Sequence, residues 1–226
     1  MSGSVAYADR MIVVVGQPAW NPGPPPAPVG RAVAIALAAA EAGARVELLG
    51  RIGDDPDGDA LLLALTHAGV GHVALLRDAA RPTRQVRSSA PDDDEPLAAA
   101  LLDGLAPAPE ADDDGPCLEP ADVALGLRYL TAFDVLVVAD DAPMTVIPVC
   151  VEAAAFAGAR LVVAIRSAES VPDGLPEDAT VLVAPDDDGE AFPRLLGLYA
   201  AALDGGASPE AAFAAASGDG WERPGG

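Results

Sequence analysis

No lysine occurs anywhere in the 226 residues, and all thirteen basic side chains are arginine. The chain therefore has no ammonium group to neutralise a phosphate or to form a Schiff base. Positive charge of any kind is scarce: thirteen basic against thirty-five acidic residues leave a formal charge of -22. Such a field repels polyanions, so no nucleic acid and no membrane surface is expected as a partner. Cysteine is almost as rare. Cys117 and Cys150 stand far apart with no metal-ligand spacing, and no disulfide framework is expected from them. His67 and His72 have no cysteine or acid at ligand spacing and read as surface or capping residues. Long hydrophobic runs are missing near the N-terminus, where "MIVVVG" is too short for a signal-peptide core or a membrane span, and a cytoplasmic location is the expectation.

What is present is enough apolar sequence, 51% of the residues, to bury one full core, and a single domain over 1–226 is expected. Met11 to Gly16 reads as a buried strand, and the proline-rich "QPAWNPGPPPAPVG" after it as a loop. A small-residue helix (30–43), a strand ("ARVELLG"), a helix ("DGDALLLALTHAG") and a strand ("HVALLRD") follow. From Ser88 to Pro120 the pattern breaks into acid and proline clusters around "LAAALLDGL", as in a solvated, flexible insertion with room for one helix. Regularity returns with strands in "FDVLVVADDAP", "ARLVVAI" and "ATVLVAP", a helix in "TVIPVCVEAAAFAG", and two alanine-rich helices at the end. Alternating units with nearly continuous apolar strands predict a mostly parallel sheet covered on both faces. Ligands in such sheets bind beyond the carboxyl ends of the strands, which directs attention to the loops starting at Gly16, Gly50, Asp140, Arg166 and Pro185.

The stretch "GRIGDDPDGDALLLALTHAGV" followed by "RPT", with "VVVG" and "AGA" before it, resembles the ribokinase family, the PfkB carbohydrate kinases. The later "FDVLVVADDAP", "ARLVVAIRSAESVP" and "ATVLVAP" follow the same order. The resemblance implies an α/β/α sandwich of three layers, with the glycine and aspartate turn beside a sugar pocket and Asp55 near the sugar. It also implies ATP and Mg2+ as cofactors if the chain is active. The family's sugar-binding aspartate after the first strand falls on Asn21, which can hydrogen-bond a hydroxyl but carries no charge. Gly30 keeps a glycine at the start of the next helix, with Val29 in place of its glycine neighbour and Ala34 in place of a sugar-binding asparagine. Only "PGPPPAPV" stands where the family's lid strands occur, so both the lid and the nucleotide cover are expected to be reduced.

The family's catalytic turn, glycine-alanine-glycine-aspartate, matches best at "PDDDGEAF", with Gly189 as the phosphate-side glycine and Glu190 as the base. Glu190 carries a second reading as a helix-capping acid. In another register Asp187 and Glu190 match an earlier asparagine-x-x-glutamate motif, with Asp187 as a magnesium ligand; otherwise Asp186 to Asp188 form a solvated acidic turn. Asp141 matches a frequent acid of the family and reads either as part of a phosphate network or as a loop cap. Arg166, at a position where the family often has asparagine, would meet a phosphate or pair internally with Asp141 or Asp187. Two functions follow. One is a degenerate pseudokinase acting as a binding module for a small molecule, a sugar or nucleoside, or for another protein. The other is an active ATP-dependent kinase acting on a primary hydroxyl.

Overall fold

The computed structural model describes residues 10–86, 115–130, 132–185 and 191–218. Ile12–Val15 forms β1, four β-branched residues all buried, as expected of a strand covered on both faces. It pairs in parallel with β4 (Val46–Gly53) on one side and β7 (Val135–Val138) on the other. Beyond these lie β5 (Val70–Gly71) and β6 (Leu75–Asp78) along β4, and β8 (Arg160–Ile165) and β9 (Thr180–Val183) beyond β7. The order is β5-β4-β1-β7-β8-β9, with β6 also on β4, and every pairing is parallel.

Because successive residues point to opposite faces, the strands divide their side chains between two cores. Ile12, Val14, Leu48, Val137 and Val162 face α1 (Arg31–Glu41), α2 (Pro56–His67), α5 (Ala191–Asp204) and α6 (Pro209–Ser217). Val13, Val15, Leu136 and Val163 face α3 (Pro120–Tyr129) and α4 (Ile147–Ala157). The three-layer α/β/α sandwich with a mostly parallel sheet is therefore present as expected.

Three local expectations change. The proline-rich stretch is not all loop: Ala19–Asn21 (β2) and Ala27–Val29 (β3) pair antiparallel as a small hairpin, which tolerates Pro28 because it has edges free of ladder demands. The glycines of "GRIG" belong to β4 itself, since β4 leaves β5 at Glu47 and takes up β6 from Gly50 to Gly53. The loop at this edge accordingly begins at Asp54 rather than Gly50. The third change is α3, for which the sequence reading gave no helix. Its start carries a reciprocal cap between Glu119 and Asp122 and a proline in the first turn.

Most of the acidic insertion, 87–114, lies outside the described residues. Gly115 returns beside the point of departure, and a Cβ placed on it would stand 2.9 Å from Arg84 Cβ. From there Leu118 is already buried against the α3 and α4 side of the sheet. Excising 88–113 and joining the ends with a short glycine-serine linker is expected to leave a cooperatively folding protein, because Gly115 lies against Arg84. Loss of the cooperative denaturant transition would show that the segment belongs to the core.

Candidate functional site

All strands of the main sheet run the same way, so the segments after β1, β7, β8 and β9 leave from one edge of it. The first of these, Gly16 to Pro18, leads through the hairpin to Gly30 and into α1. Gly30 sits at φ 112°, a conformation that a side chain resists, and a Cβ on it would press to 3.0 Å from the Gln17 carbonyl oxygen. Having no side chain, Gly30 cannot cap α1. The cap comes from across the sheet: the Asp141 carboxylate accepts the Gln17 N–H at 3.3 Å and the Ala32 N–H at 3.2 Å. Burial pushes the Asp141 carboxyl up to about 6, with neighbouring Asp140 adding to the rise, against the lowering pull of the amides.

The Asp140 side chain is buried as well, at 1% exposed. Arg31 Nε lies 3.6 Å and Arg166 Nε 3.7 Å from its Oδ2. The sequence reading expected an internal pair for Arg166, but with Asp141 or Asp187. In the fold Arg166 pairs with Asp140, because Asp141 is turned onto α1.

Asp55 performs a different task. Its Oδ1 accepts the Gly58 N–H at 2.8 Å, as the N-cap of α2, and the Thr83 hydroxyl at 2.7 Å. Its Oδ2 accepts the Thr83 N–H at 2.7 Å, while Thr83 Oγ1 accepts the Gly53 N–H at 3.0 Å. A Cβ on Gly53 would collide with the Thr83 amide. Burial presses the Asp55 carboxyl upward, but the Gly58 and Thr83 donors, with Arg77 nearby, outweigh it and hold it below its ordinary value. The glycine-aspartate turn and the distant "RPT" are thus two halves of one knot.

The knot continues into the hairpin. Trp20 N–H donates to Arg84 O at 2.8 Å and Val86 N–H to Trp20 O at 3.0 Å, which fastens β2 to the segment after Thr83. Arg84 also donates to Gln17 Oε1 at 2.9 Å, and Gln85 to Asp57 at 2.5 Å. Asn21 accepts the Gly23 N–H at 2.9 Å and so closes its own hairpin turn. Gly30, Asp141 and, through Asp140, Arg166 come together at the edge, whereas Asn21 is engaged by its own turn and Asp55 by α2 and the distant Thr83. Gln17, Arg31 and Arg84 are not among the residues singled out from the sequence, and Asp140 is placed there on the ligand edge without a role of its own. Asp140 carried a signal as the first acid after an apolar strand; Gln17 and Arg84 carried none.

A cavity of about 440 Å3 opens between β3, α1 and the start of α5, with Gly30, Arg31, Ala34 and Arg194 in its wall. Asp187, Gly189 and Glu190 lie outside the described residues. Among the described residues no three histidine, cysteine, aspartate or glutamate side chains converge as metal ligands, and no helix is long and apolar enough to cross a membrane.

Solved structures share this architecture. The chain is similar to the protein Sa239 (14% identity, TM-score 0.62, covering 92% of this chain and 91% of that one). It is similar to Arabidopsis thaliana ribokinase complexed with ribose and ATP (14%, 0.60, 91% and 89%). It is similar also to an uncharacterised sugar kinase from Pyrococcus horikoshii (11%, 0.51, 83% and 60%). No family model and no curated protein matches the sequence. The fold is ribokinase-like.

Proposed function

We propose that this chain is a ribokinase-like binding module, a pseudokinase that takes an uncharged polyhydroxy ligand, a sugar or nucleoside, at the carboxyl edge of its sheet and transfers no phosphate. We place it in the cytoplasm. The observation that carries the choice of an uncharged ligand is the Asp141 carboxylate on the N-terminus of α1, and the absence of phosphoryl transfer rests on the sequence, where Asp187 and Asp188 stand in place of the small residues of the family's catalytic turn. A helix N-terminus is a natural seat for an anion, and here the seat is filled by the chain's own acid. A phosphate brought to about 4 Å from that carboxylate would meet repulsion of roughly 4 kcal/mol at an effective dielectric near 20.

The other described groups do not fit a triphosphate either. Arg166 is ion-paired to buried Asp140, which also holds Arg31, and there is no lysine. Neutral groups suit hydroxyls: the Gln17 and Asn21 amide nitrogens are donors, and their oxygens, which accept from Arg84 and Gly23, each keep a second lone pair.

The purified chain is to be tested with magnesium-ATP against ribose, fructose and adenosine, by thermal shift and by product formation. A rise in melting temperature with a neutral acceptor and no turnover is expected, since a ligand that prefers the folded state raises its stability. Turnover above about 0.1 per second that disappears in Glu190→Ala would overturn the reading in favour of an active kinase, because working enzymes run at roughly 1 to 1000 per second.

A further inference from the structure

Among the described residues β9 pairs only with β8 and ends the sheet. Its residues are half-buried or exposed, while β1 and β7 are buried throughout. The Ala184 N–H donates to Ile165 O at 2.8 Å on the β8 side. Backbone groups of successive strand residues turn to opposite edges, so Thr180 and Leu182 share the direction of Ala184, and Val181 and Val183 turn N–H and C=O outward. Val183 is 45% exposed.

Beside this edge runs a groove of about 550 Å3, lined by Thr180, Tyr199, Glu210, Phe213, Ala214 and Ser217. The Tyr199 hydroxyl is held 3.0 Å from Thr180 Oγ1, and its ring meets Phe213 edge-on at 6.4 Å, so the groove has a fixed aromatic wall. Acids flank the start of the strand. Asp173, Glu177 and Asp178 are exposed before it, and Glu210 stands in the groove.

We propose that the β9 edge is a strand-addition site for an extended, basic segment of another protein. The added strand bonds the outward backbone groups of Val181 and Val183, lays alternate apolar side chains along the groove, and sets arginine or lysine against Asp173, Glu177, Asp178 and Glu210. A second copy of this chain suits the edge poorly. It would bring a like charge of -22 to an edge already flanked by the exposed Asp173, Glu177 and Asp178. The site is separate from the ligand edge proposed above and does not depend on it.

The probe is a labelled synthetic peptide of about ten residues, valine alternating with threonine between paired arginines. One control replaces the arginines by glutamates, and another is N-methylated at alternate residues. Fluorescence anisotropy on the full chain is expected to show saturable binding of the arginine peptide, at least about tenfold weaker binding of the glutamate version, and none of the N-methylated one. Val183→Pro removes only an outward N–H and is expected to lower affinity about tenfold while the chain stays folded. Glu177→Gln with Asp178→Asn is expected to weaken binding and flatten its salt dependence. The proposal is overturned if no saturable binding occurs, or if the N-methylated peptide binds as well as its parent, which marks unspecific charge attraction. Should Val183→Pro fail to fold, the comparison of the two peptides on the unaltered chain decides. Self-association that Val183→Pro abolishes would make a second copy the occupant and would equally overturn it.

Discussion

Asp55→Ala is expected to lower folding stability by about 3 kcal/mol, the largest effect of any single polar substitution argued for this chain. The carboxylate accepts from Gly58 N–H, Thr83 N–H and the Thr83 hydroxyl, and Thr83 is 3% exposed. Removing it takes away the cap of α2, worth about 1 to 2 kcal/mol, and leaves the Thr83 amide without an acceptor in a dry place. Asp55→Asn keeps one acceptor oxygen but turns an amide donor toward another donor, so it should fall between the two. Thr83→Val keeps the shape and removes both the acceptor for Gly53 N–H and the donor to Asp55. Because the two residues share their bonds, the double variant should cost clearly less than the sum of the singles. Urea unfolding of the four proteins measures this. Additive losses, or a loss below about 1 kcal/mol with ligand binding abolished, would return Asp55 to the sugar-contacting role that its sequence position implied.

The knot also shows what the sequence could reveal. "GRIGDDPDG" and "RPT" are separated by a helix and two short strands, and pattern alone marks each as important without saying that they bind each other. The alternation of strands and helices was legible because β1, β7 and β8 are short, apolar and rich in valine, with α1 and α5 between glycines and turn residues. The hairpin was not legible. Three-residue strands among prolines have no period to detect, and they exist because Trp20 bonds backbone at 84–86, which no local rule foresees. For α3 a signal was present: Glu119, Pro120 and Asp122 spell a capped helix start, obscured by the acid-rich stretch before them. At the site, Asp141 could be named as an acid at a strand end. Its actual contact lies 109 residues away at Ala32, and the two are brought together by the parallel pairing of β1 with β7 rather than by anything near Asp141.

Acidifying the solution from pH 7 to pH 5 is expected to stabilise this fold. The folded-state value of Asp141, pushed up from 3.8 to about 6, means that the native chain binds a proton more tightly than the unfolded chain across that interval. The stability tied to this group is fully present below 3.8, where both states are protonated, and is lost as pH rises through about 6. Above that value the native state holds a buried anion beside Asp140, while the unfolded chain exposes it to water. A gap of about two pH units at about 1.4 kcal/mol each sets an upper scale of roughly 3 kcal/mol. Asp204, whose carboxyl is raised by burial and by Asp134, acts in the same sense. Asp55 acts in the opposite sense but in another window: its lowered carboxyl contributes stability above 3.8 that is lost only as pH falls through its still lower folded value. Stability should therefore climb from pH 7 toward about pH 5 and collapse below about pH 4. General relief of the -22 charge adds to the climb, so the specific share is read from Asp141→Asn, which keeps an acceptor oxygen for an α1 amide and cannot ionise. Urea midpoints of both proteins measured from pH 4 to pH 8 should converge on the acid side and part above about pH 6, with the variant the more stable at high pH. Parallel profiles would show that the Asp141 carboxylate carries no burial penalty and that the α1 N-terminus compensates its charge in full.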